Sequence, residues 1–290
     1  MVLTHSFRIK DQGVKKKLNR LARAVNLVWN YVNETSYHAI RNHGKWLSKY
    51  DFRPLLKGVS KELPINSQTV QAVSDELVNR RKQFKKAKLK WRGKASLGWI
   101  PFNGQTIQLR ESAIYYNREK FRFWRHRKIQ GKIKTGSFTQ DSRGRWYVHL
   151  QCEVNETMSH GEREIGIDLG LKDQVVCSDG EKYSRENLTR KFEKELAQAQ
   201  RARKTRRVRA LHAKIANRRK DWTHKITRSL CESSKVIILG DVNSKRFVKT
   251  RLAKSVLDAS WSSFSTLLQY KAIRHGMVVK TVSEKWSTQT

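Results

Sequence analysis

The N-terminal apolar residues fall into two rhythms. Residues 3–9, Leu-Thr-His-Ser-Phe-Arg-Ile, alternate apolar with polar, which predicts a half-buried strand. Val14, Leu18, Leu21, Val25, Val28 and Val32 then recur four and three apart. That spacing predicts one apolar stripe on a long helix reaching about Ile40 and closed by Gly44. A second helix is predicted after Pro64, with Asn66 or Ser67 as N-cap and Val70, Val73, Leu77 and Phe84 facing inward. From Leu97 to Val154 the texture turns to strands at 106–109, 121–124 and 146–150, punctuated by Gly104, Gly131, Gly136 and Gly144. The reading is a small antiparallel barrel or sheet, closed by the N-terminal strand and carrying a helical insert.

A different pattern begins at Glu164. Ile165-Gly-Ile-Asp-Leu-Gly170 is an apolar strand interrupted by one acid, 175–177 a second strand, and Ser178-Asp-Gly180 turns into a third near Tyr183. Residues 186–233 read as helices dense in Lys and Arg. A buried strand at 236–239, a helix at 258–275 and a strand at 277–282 follow. Three meandering strands and then alternating helix and strand is the order of a ribonuclease-H-like fold.

Charge narrows the partner. Across 290 residues, 62 Lys and Arg face 25 Asp and Glu, a formal charge of +37. That excess repels itself in the free protein and is offset by a polyanion. An acidic small-molecule enzyme, an extracellular scaffold and a membrane protein are poorly served by this balance. Cys152, Cys177 and Cys231 have no paired spacing, the apolar runs are short and no basic-then-apolar leader is visible. The expectation is a reducing cytosol. Basic residues number nine in 80–94, eight in 118–134 and nine in 190–209. Aromatics stand among the first two runs, and such interleaving suits stacking on unpaired bases. The candidate contacts are Arg80, Arg81, Lys85, Lys86, Lys88, Trp91, Arg122, Trp124, Arg125, Arg127, Arg203, Arg206 and Arg207. Neutralising on the order of ten phosphates predicts a salt slope near −9.

Three acids are candidates for chemistry. Asp168 lies mid-strand in an apolar run, where an ionised carboxylate needs a partner or a metal. It reads either as a metal-holding acid or as a strand-end Asp bonded to nearby amides. Asp241, ending the strand at 236–240, reads either as a second such acid or as a turn residue capping Val242-Asn-Ser244. Glu284, beyond the last strand, is the third candidate. Two divalent ions between such acids would stabilise the attacking and leaving oxygens of an in-line displacement.

Together these motifs resemble those of the TnpB (OrfB-type) proteins of insertion sequences. Gly166-Ile-Asp-Leu-Gly-Leu-Lys-Asp173 with Ser178-Asp-Gly180 looks like their first RuvC motif, and Ile237-Ile-Leu-Gly-Asp-Val-Asn243 resembles the second. Residues 249–261 and 268–271 are similar to the helix before the final strand, and Ser287-Thr-Gln-Thr290 to the lead-in of a zinc ribbon. The resemblance implies a wedge β-barrel at 1–10 and 96–160, a helical recognition domain at 11–95 and a RuvC-like nuclease domain at 161–290. It also implies an RNA-guided DNA endonuclease related to type V CRISPR effectors, in which pairing reads sequence and the protein holds backbone. Its partners would be an omega-type noncoding guide RNA and double-stranded target DNA, with no membrane. Its cofactor would be one or two Mg²⁺ ions on Asp168 and Glu284. By position, Asn66, Ser67, Gln68 and Gln71 match the helix start that contacts a target-adjacent motif.

The chain departs from the family at two places. Gly240 stands where the second motif normally carries a Glu, so Glu284 is read as a relocated acid. The sequence stops at Thr290, before the Cys-x-x-Cys ribbon and the third acidic motif, so Zn²⁺ is expected only if a ribbon follows. A shortened, nuclease-deficient protein that binds DNA through its guide, in the manner of a repressor, is therefore the alternative reading. A basic RNA-binding protein without guided targeting is a third.

Overall fold

The structure is a computed structural model that describes residues 1–155, 158–241, 255 and 259–283. It is mixed α and β and divides into two compact units, 2–154 and 155 onward. Among the described residues no helix is long and apolar enough to cross a membrane.

In the first unit, strands β1 (Val2–Arg8), β2 (Trp99–Asn103), β6 (Lys132–Gln140) and β7 (Trp146–Glu153) form an antiparallel sheet in the order β1-β7-β6-β2. Strands β3 (Ile107–Arg110), β4 (Ala113–Tyr116) and β5 (Glu119–Arg122) form a second sheet. An antiparallel bridge between Ile9 and Phe123 joins the two. Helix α1 (Lys15–His43) buries the predicted stripe from Leu18 to Val32. It ends where Gly44 turns left-handed at φ 62° and donates to the Ile40 carbonyl at 2.9 Å. Two short helices, α2 (Phe52–Leu55) and α3 (Val59–Glu62), lead to α4 (Ser67–Phe84), capped by Asn66 Oδ1 accepting from the Thr69 N–H at 2.7 Å. Helices and both sheets share one core, from Phe7, Val25 and Leu77 to Phe121, Phe138 and Trp146.

Two expectations for this unit change. Phe84 is 56 % exposed instead of inward, because Lys85 adopts a left-handed conformation and ends α4 one residue later. Strands β2, β4 and β6 were not predicted. In β6 only Phe138 is fully buried, so no apolar alternation marks it. Gly136 sits mid-strand because a Cβ there would collide with the His149 carbonyl and the Phe102 ring.

The second unit holds β8 (Arg163–Asp168), β9 (Val175–Cys177), β10 (Lys182–Tyr183), β11 (Ser234–Asp241) and β12 (Val278–Ser283). The sheet order is β10-β9-β8-β11-β12, with β9 antiparallel to its neighbours and β8, β11 and β12 mutually parallel. The order along the chain is the predicted one, three meandering strands and then alternating helix and strand. Helices α5 (Leu188–Lys191), α6 (Glu193–Arg201) and α7 (Thr205–Ser233) precede β11, and α8 (Trp261–His275) precedes β12. Leu230 and Cys231 of α7 and Phe264 and Leu268 of α8 pack on Ile165, Ile167, Ile237 and Leu239. A separate small cluster of Leu188, Phe192, Leu211 and Ile215 ties α5 and α6 to α7.

Candidate nucleic-acid interface and acidic site

Parallel pairing sets the geometry around Asp168. Ile165 opposes Ile237 and Ile167 opposes Leu239, and all four are buried on the helix-covered face. Alternation therefore turns Asp168 to the other face, and continuing the register sets Gly240 beside it. Across the sheet its antiparallel partner is Val176. Asp168 is exposed, and no hydrogen bond or ion pair is seen from its carboxylate to a described residue. Asp241 is also exposed at the same end of the sheet, opposite Ser283 of β12. Being one residue past Gly240, it belongs to the opposite face from Asp168. Glu284 lies outside the described residues. The structure thus brings Asp168 and Asp241 to one edge but not to one face. Among the described residues, Asp168 supplies a divalent ion with one carboxylate, and the neighbouring Gly240 adds none.

Cys177, Asp179 and Glu181 also come together, with ligand atoms within 4.8 Å of one another. Their charge is already answered. The Arg163 guanidinium donates to Asp179 and reaches Glu181 at 2.9 Å, and the Tyr183 hydroxyl donates to Glu181 at 2.7 Å. These bonds hold the Glu181 carboxyl below its usual range, Tyr183 and Arg163 leading. Burial raises the Cys177 thiol. The cluster is an ion-pair network linking the first three strands of the sheet.

The predicted nucleic-acid contacts separate by exposure. Lys85, Lys86, Lys88 and Trp91 are exposed, as is Arg80, which is paired with Glu76 at 2.6 Å. Arg81 is instead 2 % exposed, donating to the Leu47 carbonyl at 2.5 Å with its guanidinium 5.1 Å from the Trp46 ring. It lies on the inward face of α4, beside Leu77 and Val78, and its role is packing. In the second run Phe121 and Phe123 are fully buried by strand alternation. Arg122, Trp124, Arg125 and Arg127 point outward, with Arg8 stacked 5.0 Å from the Trp124 ring. Of those aromatics, Trp124 alone faces solvent. Arg203, Arg206 and Arg207 are exposed at the α6–α7 turn, where Arg207 pairs with Glu195 at 2.9 Å.

At the start of α4, Ser67 and Gln71 are exposed, while the Asn66 side chain is engaged by its cap. Gln68 and Gln71 line a cleft of about 560 Å³ with Asn103, Thr135 and Gln151. Gln68 Oε1 is shielded there with no partner among the described residues. Asn103 and Thr135 escaped the sequence reading because β2 and β6 were not foreseen, and Gln151 lies one residue past the strand predicted at 146–150.

Also unforeseen were the residues that hold the first basic run. Asn33 donates to the Leu89 carbonyl at 2.8 Å and accepts from the Leu89 N–H at 3.0 Å. Asn30 does the same for Arg92, at 2.8 and 2.9 Å. Asn26 accepts from Arg92 Nε at 2.7 Å. The signal was present as three asparagines, 26, 30 and 33, at helical spacing beside an apolar stripe.

Comparisons with known proteins agree with the motifs. Residues 148–251 match the OrfB_IS605 family model, "Probable transposase". A Streptomyces pristinaespiralis protein named as an RNA-guided DNA endonuclease is 31 % identical over 166 residues, covering 52 % of this chain and 41 % of that protein. Escherichia coli K12 InsQ, named likewise, is 26 % identical over 198 residues, covering 58 % of this chain and 49 % of its own. This chain spans less than half the length of either relative. The Cas12f1 chain of a solved Cas12f1–sgRNA–target DNA complex shares the fold, with a TM-score of 0.61 at 12 % identity over 96 % of this chain and 75 % of that one. The family-model match, the relatives and the motifs of residues 164–261 together support a TnpB-type protein.

Proposed function

We propose that this chain binds an omega-type noncoding guide RNA and directs it to double-stranded DNA, which it cuts by hydrolysis of a phosphodiester. The observation that carries this reading is Asp168: an exposed carboxylate, unpaired among the described residues, at the end of a central parallel strand, in a chain of formal charge +37. A carboxylate set into a cationic surface suits a divalent ion at a polyanion. In this reading the second unit is a RuvC-like, ribonuclease-H-like domain. Asp168 and Glu284 hold one or two Mg²⁺ ions, with Asp241 as the nearby acid. Such ions would offset charge on the scissile phosphate. The two sheets of the first unit act as the wedge barrel, and the helices within 11–95 as the recognition domain. The amide-lined cleft of Gln68 and Gln71 reads the target-adjacent motif, since amides can reach base edges where cations would seek phosphates. The setting is the cytoplasm.

A specific observation favours a second reading, guided binding without cutting. Gly240 gives no carboxylate beside Asp168, and Asp241 belongs to the other face. One assay separates the readings. Protein purified through high-salt washes is expected to retain one defined noncoding RNA, and the complex to cut a matching target in Mg²⁺. Asp168→Ala should abolish cutting and leave RNA retention unchanged, and Glu284→Gln should impair it more than Asp241→Asn. Target binding without cleavage by the wild type selects the second reading. Absence of any retained RNA removes both.

A further inference from the structure

Residues 85–98 join α4 to β2 without regular secondary structure and carry six Lys or Arg. A segment so charged is ordinarily a solvated loop. Here it is fastened along α1. Asn30 and Asn33 each present a side-chain amide to both the N–H and the carbonyl of a loop residue, mimicking a strand partner. Trp29 Nε1 donates to the Lys90 carbonyl at 3.2 Å, and Arg92 Nη2 donates to the Leu97 carbonyl at 2.7 Å. The Arg92 guanidinium lies 6.0 and 5.7 Å from the Trp29 and Trp99 rings. Asn33 is 1 % exposed and Asn30 9 %, so the asparagine side of each bond is shielded from water. The fastening fixes Leu89 and Arg92 inward and leaves the residues between them facing out.

What faces out has a consistent chemistry. Phe84 and Trp91 are 56 % and 53 % exposed, and both line a cleft of about 760 Å³ with Arg80, Lys86, Lys88 and Lys90. Large aromatics are costly to leave in water, and cations around them exclude an apolar peptide. An aromatic floor with a cationic rim matches a nucleotide, whose base stacks and whose phosphate pairs. A duplex hides its base faces, so the fit is to an unpaired base. Holding the loop in advance removes the ordering cost that binding would otherwise carry.

We propose that this cleft captures an unpaired nucleotide of a single-stranded nucleic acid, its base stacked on Trp91 and Phe84, with Asn30 and Asn33 as positioning residues. The inference rests on the nucleic-acid-binding part of the proposed function and adds a site to it. The test uses the full chain and three probes of one sequence: single-stranded RNA and single-stranded DNA, each with a central 2-aminopurine, and the corresponding duplex. For Trp91→Ala the expected result is about a tenfold loss of single-strand affinity, with the stacking change in 2-aminopurine fluorescence lost and duplex affinity kept. Trp91→Phe should restore most of the affinity, which a purely structural role would not require. Tighter RNA than DNA assigns the site to the guide, and the reverse to a separated DNA strand. Unchanged single-strand affinity in Trp91→Ala, or an equal loss on duplex, overturns the inference while the wild type still binds. A wild type that binds no probe instead defeats the broader reading.

Discussion

The two units shelter different cations. In the first, two arginines are held by neutral groups: Arg81 by the Leu47 carbonyl and Trp46, and Arg92 by Asn26, the Leu97 carbonyl and two indoles. In the second, the arginines at the α6–α7 turn stand in solvent, and one lysine, Lys271 of α8, is buried. Its ammonium donates to the His224 carbonyl at 2.6 Å and Thr227 Oγ1 at 2.8 Å. Burial pulls its pKa down to about 8. Arginine keeps its charge when buried, and its planar fork can be met by carbonyls and rings. Lysine can shed its proton instead. The difference teaches that the sheltered charge is permanent in the first unit and pH-dependent in the second.

Breaking the fastening in the first unit should have the largest effect. Asn33→Leu keeps the branched side-chain outline but leaves the N–H and carbonyl of Leu89 without their partner. Each unsatisfied buried group costs about 1–3 kcal/mol, so a loss of roughly 2–4 kcal/mol is expected in urea denaturation of the full chain. Single-strand affinity should fall with it, as Trp91 loses its support. Stability unchanged within about 0.5 kcal/mol would show that the loop is held by Leu89 and Arg92 alone.

That asparagine ladder marks where sequence reading stopped. The stripe from Leu18 to Val32, the Gly44 stop, a cap at Asn66 or Ser67 and the order of elements along the second unit were legible because each follows from local periodicity or local capping chemistry. Asp168 was legible because an acid in an apolar strand is conspicuous. The irregular loop was not, since its conformation is written in residues 56 to 62 positions away in sequence. The outward Phe84 was missed for a related reason: helical spacing placed it inward, and the left-handed Lys85 ended the helix. The facing of Asp168 and Asp241 needed the strand register, which one strand's sequence does not contain.

In the second unit the contrast is tested through Lys271. Between its folded pKa of about 8 and its ordinary value of 10.5, the unfolded chain binds the proton more strongly than the folded one. Wild-type stability therefore gains from this group as pH rises through that window, and below pH 8 the burial cost stands in full. Lys271→Met should stabilise the chain by about 1 kcal/mol at pH 7, and the advantage should shrink towards pH 10.5. Cys231 opposes this trend, since burial holds its thiol up to about 11. Arg228 and Glu232 are also near, with opposite influence on the ammonium. Measuring both proteins in a Cys231→Ala background removes the thiol. An advantage independent of pH from 7 to 10.5 would mean that the ammonium sheds no proton on burial.

The smallest effect on stability is expected at the α6–α7 turn, and there the two units part most clearly. Arg206 and Arg207 are exposed, and the Arg207–Glu195 pair at 2.9 Å joins side chains that are 61 % and 46 % exposed. Such a pair contributes little. Arg206→Ala with Arg207→Ala should leave the denaturation midpoint almost unmoved. If both arginines meet phosphates, the double variant should flatten the dependence of log affinity on log salt by about 1.4 on single strands and 1.8 on duplex. Trp91→Ala should do the reverse, lowering single-strand affinity at every salt concentration without changing the slope. A slope change from Trp91, or none from the arginines, would erase the distinction between a stacking site in the first unit and a phosphate-facing surface in the second.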